Sequence, residues 1–531
     1  VLSTDTGEAR DDYIAGTKFS GASWTRDSQA FFYSRYPAAG DAYDDTQQVR
    51  IYRHRLGAPQ AEDVLVYEVT DHPARNPYAT VTDDGAYLVI DLFDGYETNG
   101  IYYLALDEKG QPAGDVQRLF DDWDARYEYV ANRGERFFFM TTRQAPLGRV
   151  VAVDLSASGK LIEIVAETGA AIEAVSVVGD ELLVAYIRDA RAAVERFSLG
   201  GEGLGPLALP GGGSVDGLSG RLGETEAFYS YTDFTTPRTV FRYNADTGES
   251  VAIRRPAVAM SPDDYETRQV FVRSPDGTRV PATIVARRDL PSGPRPTVLY
   301  GYGGFNVSLL PGYSTARTAW LEAGGVYVVA NLRGGGEYGE AWHLAGTRLN
   351  KQNVFDDFIA VAEWLVEEGV TTPRQLAIWG GSNGGLLVGA VAQQRPELFA
   401  AAVPAVGVLD MLRYQTASAN ARQWSSDYGL SENADEFVAL YAYSPYHNLQ
   451  PGTCYPATLV MADANDDRVV PWHSYKYAAA LQFAQGCDNP VLIRVETNTG
   501  HGAGASTSKI INEYADQWAF VAAKTGLKLA D

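Results

Sequence analysis

The chain has 531 residues, 45% hydrophobic and 21% charged, a composition typical of soluble globular proteins and a length that predicts more than one domain. Its formal net charge of −23 argues against nucleic acid as a partner, because a phosphate-binding surface needs a basic patch. No run of about 18 apolar residues occurs, so neither a membrane span nor a membrane partner is expected.

The amino terminus and the cysteines constrain the compartment weakly. Val1-Leu2-Ser3 has no signal-peptide pattern, and a processed terminus would look the same. A cytoplasmic location is expected, with the periplasm as the open alternative. Cys454 and Cys487 are too few for a disulfide framework, so two ordinary thiols are favoured over one bridge.

Residues 1–257 are predicted to form an all-β propeller domain. A small or polar turn followed by an aromatic or aliphatic strand occurs five times, with turns at Asp27, Asp84, Gly134, Gly179 and Gly223. These turns lie about 44 to 57 residues apart, and four-stranded propeller blades repeat at about 40–50 residues. An irregular β-sandwich is the alternative.

Residues 258–531 are predicted to form an α/β domain, which begins with a bridging segment at 258–275. Short apolar runs suited to buried parallel strands alternate there with helical patterns. This alternation indicates a doubly wound, mostly parallel sheet with helices on both faces. The predicted strands and main helices are Thr297–Gly301, Val326–Leu332, Leu376–Trp379, Ala401–Val406, Ala457–Met461 and Val491–Val495, with helices at Val354–Glu368 and Ser508–Ala523.

Ser382 lies in Gly380-Gly381-Ser382-Asn383-Gly384, a G-x-S-x-G pattern between a predicted strand and an apolar helix. This is the context of a nucleophile elbow, the sharp turn that presents a serine at the edge of an α/β-hydrolase sheet. The Asn383 N–H, at the start of the helix, points where an oxyanion would form. The context disfavours the alternative, a glycine-rich turn with an incidental serine.

A serine nucleophile needs a base, and His501 follows the last predicted strand in Gly500-His501-Gly502. The base needs a carboxylate, and spacing alone leaves Asp463, Asp466 and Asp467 open. The order serine, aspartate, histidine along the chain is that of α/β hydrolases. No histidine pair stands at ligand spacing beside these aspartates, so no metal and no cofactor are expected.

Further motifs extend this pattern across residues 258–531. They are Leu299-Tyr300-Gly301-Tyr302-Gly303-Gly304-Phe305-Asn306, Asn331-Leu332-Arg333-Gly334-Gly335-Gly336-Glu337-Tyr338-Gly339, Gly380-Gly381-Ser382-Asn383-Gly384-Gly385, Asp466-Asp467-Arg468-Val469-Val470-Pro471 and Gly500-His501-Gly502. With these motifs the region resembles the prolyl oligopeptidase family of serine peptidases. The β-rich first half resembles that family's propeller more loosely.

The resemblance implies a role for each matching residue. Ser382 would be the nucleophile, His501 the base and Asp466 the third triad member. Tyr302 would donate its hydroxyl to the oxyanion beside the Asn383 N–H. The resemblance further implies a substrate-binding set, in which Arg468 holds a substrate carbonyl, Trp424 stacks on a proline ring, and Tyr428, Phe305 and Val469 complete the walls. Proline is flat and apolar, so an aromatic slot suits it.

The expected function is that of a monomeric serine endopeptidase that cuts short peptides on the carboxyl side of proline through an acyl-enzyme, with the propeller restricting substrate size. The family's propeller has seven blades, so five blade-like units imply a propeller that is incomplete at its amino terminus, or a smaller ring. Three alternatives stay open. They are an oligopeptidase B-like enzyme with a carboxylate pair in place of Trp424, an esterase or acylaminoacyl peptidase, and an inactive propeller scaffold, which would be expected to lose a triad member although none is lost here.

Overall fold

The computed structural model describes residues 1–17, 20–37, 48–157, 160–418, 420–502 and 504–529. These residues form five four-stranded antiparallel sheets, followed by one eight-stranded mixed sheet. The predicted combination of a blade-built β domain with an α/β-hydrolase domain is confirmed. The predicted boundary at 257/258 lies between the last strand of the fifth blade, which ends at Arg254, and the first strand of the mixed sheet, which begins at Tyr265.

Each blade is one sheet whose strands follow in chain order. The strands are β1 Ser23–Trp24, β2 Ala30–Arg35, β3 Arg50–Arg55 and β4 Val64–Glu68; β5 Asn76–Val81, β6 Tyr87–Phe93, β7 Asn99–Ala105 and β8 Gln117–Phe120; β9 Tyr127–Arg133, β10 Arg136–Thr141, β11 Arg149–Asp154 and β12 Leu161–Val165; β13 Ala171–Val178, β14 Glu181–Arg188, β15 Arg191–Ser198 and β16 Gly203–Pro206; β17 Ser214–Ser219, β18 Glu226–Thr232, β19 Thr239–Asn244 and β20 Glu249–Arg254.

The two-residue period of a strand explains how one blade packs against two neighbours. In β10, Phe137 and Phe139 belong to the buried core shared with the second blade, whereas Phe138 belongs to the core shared with the fourth. In β14, Leu182 packs toward the third blade and Leu183 toward the fifth. Apolar side chains on both faces of a central strand therefore replace the polar-outside pattern of a half-exposed sheet.

The mixed sheet has the order β21-β22-β24-β23-β25-β26-β27-β28, and β22 is antiparallel to both of its neighbours, β21 and β24. Its strands are β21 Tyr265–Arg273, β22 Arg279–Arg287, β23 Thr297–Tyr300, β24 Val326–Ala330, β25 Leu376–Gly381, β26 Ala401–Ala405, β27 Ala457–Asp463 and β28 Val491–Glu496. The helices are α1 Thr315–Glu322, α2 Glu340–Leu344, α3 Gln352–Glu367, α4 Asn383–Gln394, α5 Ser425–Tyr428, α6 Ala434–Tyr443, α7 Trp472–Ala484 and α8 Thr507–Thr525.

Two buried layers cover the faces of this sheet. Helices α3 and α4 pack on one face, where Phe358 and Leu387 meet Ile378 of β25. Helices α1 and α8 pack on the other face, where Trp320 and Trp518 lie with their ring centroids 5.3 Å apart. None of the helices in the described part of the chain combines the length and apolar character that a membrane crossing requires.

One sequence expectation about this domain is wrong. Cys454 and Cys487 form a disulfide with a Cα–Cα distance of 5.1 Å, where two ordinary thiols were favoured. The two cysteines lie at opposite ends of the β27–α7 unit, and a β-bridge between Thr453 and Gln485 brings these ends together. Spacing along the chain does not reveal such a return, so the pairing could not be predicted from the sequence.

Candidate active site

Ser382 occupies a strained turn between β25 and α4. Its φ and ψ are 57° and −117°, a conformation that side-chain-bearing residues rarely adopt. Its N–H donates to Ala405 O at 2.9 Å. The turn requires glycine on both sides, because a Cβ on Gly380 would lie 2.4 Å from Gly384 O and one on Gly385 would lie 2.6 Å from Gly407 Cα. The predicted elbow sequence therefore folds into a tight strand–turn–helix that turns Ser382 out of the helix.

His501 follows β28, and Asp466 follows β27, the neighbouring strand. The distance from His501 Nδ1 to Asp466 Oδ2 is 2.6 Å, and the Asp466 side chain is 1% exposed. The other Asp466 oxygen, Oδ1, accepts the N–H groups of Arg468 and Val469, each at 2.9 Å. The two backbone N–H groups thus hold the Asp466 carboxylate in place, and its other oxygen orients the His501 ring through Nδ1.

The two other acidic candidates lie differently. Asp463 is the last residue of β27, where burial raises the pKa of its carboxyl to about 6 and the nearby charge of Glu513 adds to the effect. Asp467 is exposed. The structure therefore brings Asp466, of the three aspartates that spacing left open, into hydrogen-bond contact with His501.

Tyr302 and Asn383 meet beside the elbow. Asn383 Nδ2 donates to Tyr302 O at 2.5 Å, and Asn383 Oδ1 accepts the Tyr428 hydroxyl at 2.9 Å. Burial raises the pKa of the Tyr302 phenol, Tyr96 adds to the rise, and a hydrogen bond with the Ser382 side chain opposes it. The phenol therefore keeps its proton at neutral pH, beside the Ser382 hydroxyl, and is available as a donor.

A cavity of about 390 Å³ opens over Ser382, and we call it the main cavity. The predicted site residues that line it are Ser382, Tyr302, Trp424, Tyr428, Phe305, Arg468 and Val469, whereas Asn383, Asp466 and His501 lie outside its lining. Trp424 is 6% exposed and stacks on Tyr414, with centroids 6.2 Å apart and planes 9° apart. Phe305 meets Tyr428 edge to face at 5.3 Å.

Three aromatic residues of the propeller also line the main cavity, and sequence reasoning missed them. They are Tyr78, Phe93 and Tyr96, all from the second blade. The Tyr96 ring lies 5.2 Å from Phe305, edge to face. Their sequence surroundings carry no signal, because an aromatic residue at a blade edge is indistinguishable from one that packs in the core.

A second missed feature is a buried polar cluster beneath the Tyr302–Asn306 loop. Asp427, which is fully buried, accepts the Phe305 N–H at Oδ1 (2.7 Å) and contacts His343 Nε2 through Oδ2 (3.1 Å). Lys351 Nζ donates to Gly303 O at 3.0 Å. Burial lowers the pKa of Lys351 to about 8, although the negative charge of Asp427 opposes the shift.

This cluster holds a loop that is itself strained. Phe305 and Asn306 both have positive φ, 58° and 57°, in the left-handed region that L-residues avoid. Such a conformation persists only where surrounding contacts fix it. The hydrogen bond from Phe305 N–H to Asp427 is one of those contacts, and the loop it fixes carries both Tyr302 and Phe305.

The two domains are joined by polar contacts around this site. Arg348 Nη2 lies 3.2 Å from Glu97 Oε1, and the Tyr338 hydroxyl donates to Asp189 Oδ1 at 2.9 Å. Ser214 of the fifth blade donates to Pro311 O at 2.7 Å. The blades thus lie over the edge of the sheet that carries Ser382.

Comparison with known proteins places both domains in one family. A family model described as the prolyl oligopeptidase family matches residues 311–528, and a model of the prolyl oligopeptidase amino-terminal β-propeller domain matches residues 1–256. A prolyl endopeptidase of Elizabethkingia meningoseptica is 40% identical over 99% of this chain and 75% of its own length. Prolyl oligopeptidase A of Galerina marginata is 36% identical over 98% of this chain and 72% of its own length.

Solved structures give the same result. A structure from a study of two prolyl endopeptidases superposes with a TM-score of 0.94 at 41% identity, and covers 99% of this chain and 78% of the solved chain. Prolyl oligopeptidase B of Galerina marginata, bound to a 35-residue hydrolysis and macrocyclization substrate, has a TM-score of 0.93 at 33% identity, over 100% of this chain and 76% of its own. Oligopeptidase B of Leishmania major has a TM-score of 0.89 at 25% identity, over 98% of this chain and 74% of its own.

Proposed function

This chain belongs to the prolyl oligopeptidase family of serine peptidases, and we propose that it hydrolyses short peptides on the carboxyl side of proline. The observation that carries the proposal is the main cavity, in which an aromatic slot lies beside the Ser382 hydroxyl. Proline offers a flat apolar ring and no N–H that would need a partner, so such a slot suits it.

The proposed chemistry is acyl transfer in two stages. Ser382 Oγ attacks the carbonyl carbon while His501 takes its proton, and His501 then gives that proton to the leaving amine. Water hydrolyses the resulting ester by the same route in reverse and releases the new carboxylate. The 2.6 Å contact with Asp466 supports this role, because it holds His501 Nδ1 protonated and leaves Nε2 free to act as the base.

The developing oxyanion would be held by the Tyr302 hydroxyl and the Asn383 N–H. The phenol stays protonated at neutral pH, since burial raises the pKa of Tyr302. Both donors are fixed before the reaction, because Asn383 also bonds to Tyr302 O and to the Tyr428 hydroxyl. Donors fixed in this way stabilise charge without reorganising in the transition state.

Two features would recognise the substrate, an aromatic slot for the proline ring and the Arg468 side chain for a carbonyl. Trp424 would stack on the proline ring, with Phe305, Tyr428 and Val469 as the other walls. Arg468 would hold a carbonyl of the preceding residue. The second-blade aromatics Tyr78, Phe93 and Tyr96 would complete the cavity from the propeller side.

The lining also bears on the alternatives. In the described part of the chain, no aspartate or glutamate lines the main cavity, which disfavours an oligopeptidase B-like preference for arginine or lysine. An inactive scaffold is disfavoured because serine, histidine and aspartate are all present with the elbow formed. An acylaminoacyl peptidase would instead require a blocked amino terminus in the substrate.

The decisive experiment is a peptide panel in which the residue before the scissile bond is proline, alanine or arginine and all else is constant. We expect kcat/KM to fall about 10–200-fold from proline to alanine, the range for losing one well-filled apolar contact. Ser382→Ala is the matched control and should neither cleave the panel nor react with a fluorophosphonate label. Cleavage of the arginine peptide at the proline rate would overturn the proposal in favour of the basic-residue alternative.

We also propose that the propeller restricts entry to short peptides. The support is positional, since its blades lie over Ser382 and supply part of the main cavity. A short proline peptide should be cleaved far faster than casein, an unfolded proline-rich protein. Equal cleavage of the two substrates would show that the blades admit long chains and do not act as a filter.

Two finer proposals concern assembly and compartment. We propose that the enzyme acts as a monomer, which size-exclusion chromatography with light scattering would test. The Cys454–Cys487 disulfide supports an oxidising compartment such as the periplasm over the cytoplasm that the sequence predicted. Thiol alkylation of freshly lysed native cells, read by mass spectrometry, would label both cysteines if the protein resided in a reducing compartment.

A further inference from the structure

A second cavity lies on the face of the mixed sheet that α1 and α8 cover. It has a volume of about 250 Å³ and lies between α1, α8 and the fifth blade. We call it the aromatic cavity, because half of its lining residues are Phe234, Tyr300, Tyr313, Tyr327, Trp379, Tyr514 and Trp518. A cavity walled by rings with few polar groups is the ordinary form of a small-molecule site.

One cation lies in this wall. Arg317, in the first turn of α1, has its guanidinium carbon 5.0 Å from the ring centroids of both Phe234 and Tyr327. Its Nη2 donates to Gly312 O, whereas its buried Nε has no hydrogen-bond partner among the residues that the structure describes. The two aromatic faces and one carbonyl therefore meet only part of the hydrogen-bonding and electrostatic requirements of the guanidinium.

No negative charge balances Arg317 within the described residues. The titratable groups that act on it are the phenols of Tyr327, Tyr300 and Tyr514, and burial raises the pKa of all three, so they stay neutral. Burial also lowers the pKa of the Arg317 guanidinium. Arg317 is half-buried, and a charge drawn partly out of water without a partner is costly, so a bound anion would lower that cost.

We infer that the aromatic cavity binds a small organic carboxylate, whose charge pairs with Arg317 and whose flat apolar body lies among the rings. The guanidinium forms paired hydrogen bonds to carboxylates, and the rings suit a planar apolar body rather than a bare inorganic anion. Two sources carry this chemistry. One is the prolyl carboxylate that ends a peptide product, which rests on the proposed function, and the other is an aromatic acid from outside the reaction.

The position of the cavity couples it to the active site. Tyr300 and Trp379 are paired across β23 and β25 with their rings 4.9 Å apart. Tyr300 lies two residues before Tyr302, and Trp379 lies three residues before Ser382. A ligand packed against these rings would therefore contact the two strands that lead to the oxyanion donor and the nucleophile.

The test uses the full chain with Ser382 labelled by a bulky fluorophosphonate, so that the main cavity is filled. Benzoate and N-acetylproline are titrated against their neutral isosteres, benzamide and N-acetylprolinamide, and inorganic phosphate controls for ionic strength. Tryptophan fluorescence is the readout, since Trp379 and Trp518 line the aromatic cavity. We expect a saturable change and a higher thermal midpoint with one or both acids, and neither with the amides or phosphate.

A substitution of Arg317 tests whether its charge binds the carboxylate. Arg317→Gln should weaken acid binding by about tenfold to a hundredfold, the value of a charge-assisted hydrogen bond. The control Arg238→Gln removes an exposed arginine of the fifth blade, which pairs with Asp216, and this variant should bind as the unchanged protein does. Tighter binding of N-acetylproline identifies a product site, and tighter binding of benzoate identifies an external acid.

Equal responses to acid and amide, or no response at all, would overturn the inference without any variant. Equal binding by Arg317→Gln would overturn it as well. Its failure is distinguishable from failure of the proposed function, because proline cleavage is measured at the main cavity of the unlabelled enzyme.

Discussion

The buried cluster beneath the Tyr302–Asn306 loop leads to a prediction about catalysis. Asp427→Asn is expected to lower kcat more than it changes KM. Asp427 holds the Phe305 N–H at 2.7 Å, and Phe305 follows Tyr302 by three residues in a strained loop. The amide of Asp427→Asn can still accept this N–H, but more weakly, because the charge assistance of the carboxylate is lost. We expect the loop to relax and the Tyr302 hydroxyl to move away from the oxyanion, which exists in the transition state and not in the bound substrate.

The size of the effect follows from two losses. A displacement of about 1 Å in a catalytic group can cost about a hundredfold in rate, so kcat should fall by about that factor. Asp427 also opposes the burial effect on Lys351, so the pKa of Lys351 should fall below its present value of about 8. Removing one partner from a buried charge pair typically costs about 3–5 kcal/mol of unfolding free energy.

Steady-state kinetics with a proline peptide and denaturant unfolding would measure both effects. Asp63→Asn is the matched control, because Asp63 also contacts a buried histidine, His54, at 2.7 Å, but in the first blade. The control should lose stability and keep its kcat. Adding Lys351→Met to Asp427→Asn should restore part of the lost stability, since both charges are then gone. A folded Asp427→Asn enzyme with kcat within about twofold of the parent would refute the positioning role, since an oxyanion contact is worth far more.

Three other perturbations have expected outcomes. Trp424→Ala should lower kcat/KM about 10–200-fold for proline peptides and less for alanine peptides, whereas Trp424→Phe should keep the preference; equal losses for both peptides would make Trp424 structural. Tyr302→Phe should lower kcat by about 10²–10³ with little change in KM, and an unchanged kcat would mean that another group holds the oxyanion. Glu337, 1% exposed, has its pKa raised by burial to about 7, so its contribution to stability is present below about pH 4.5 and lost as the pH rises through 7. Glu337→Gln should therefore gain stability relative to the parent from pH 5 to pH 8, by up to about 3 kcal/mol, and a difference in unfolding free energy independent of pH would contradict the shift.

The sequence predicts the parallel strands well and the antiparallel edge poorly. The six predicted strands end within two residues of β23 to β28, because each contains a continuous apolar run, which in β23 to β27 is mostly buried. Strands β21 and β22 extend the same sheet, yet residues 258–275 were interpreted as a bridge. In Tyr265–Arg273 charged residues interrupt the apolar pattern, and two of the nine residues are buried. An exposed edge strand carries a weak hydrophobic signal.

The residues that we propose take part directly in bond chemistry are the ones that the sequence predicts. Ser382 and His501 stand out because few residue types do their work and because each follows a particular strand. Spacing left three aspartates open, and the family resemblance selected Asp466. Asp427 gave no such signal, since its partners Phe305 and His343 lie 122 and 84 residues away along the chain. A carboxylate whose partners are brought to it only by folding leaves no recognisable motif in the sequence around it.

The aromatic residues that the propeller contributes to the main cavity could not be predicted from the sequence either. Tyr78, Phe93 and Tyr96 need to supply shape alone, and many aromatic residues of the blades supply shape to the propeller's own cores. What separates them is the placement of the second blade over the Ser382 edge of the sheet, fixed by contacts such as Arg348 with Glu97. The shape of the main cavity therefore depends on the position of one domain on the other. For that reason, substitutions at the domain boundary should alter substrate preference even where they touch no substrate.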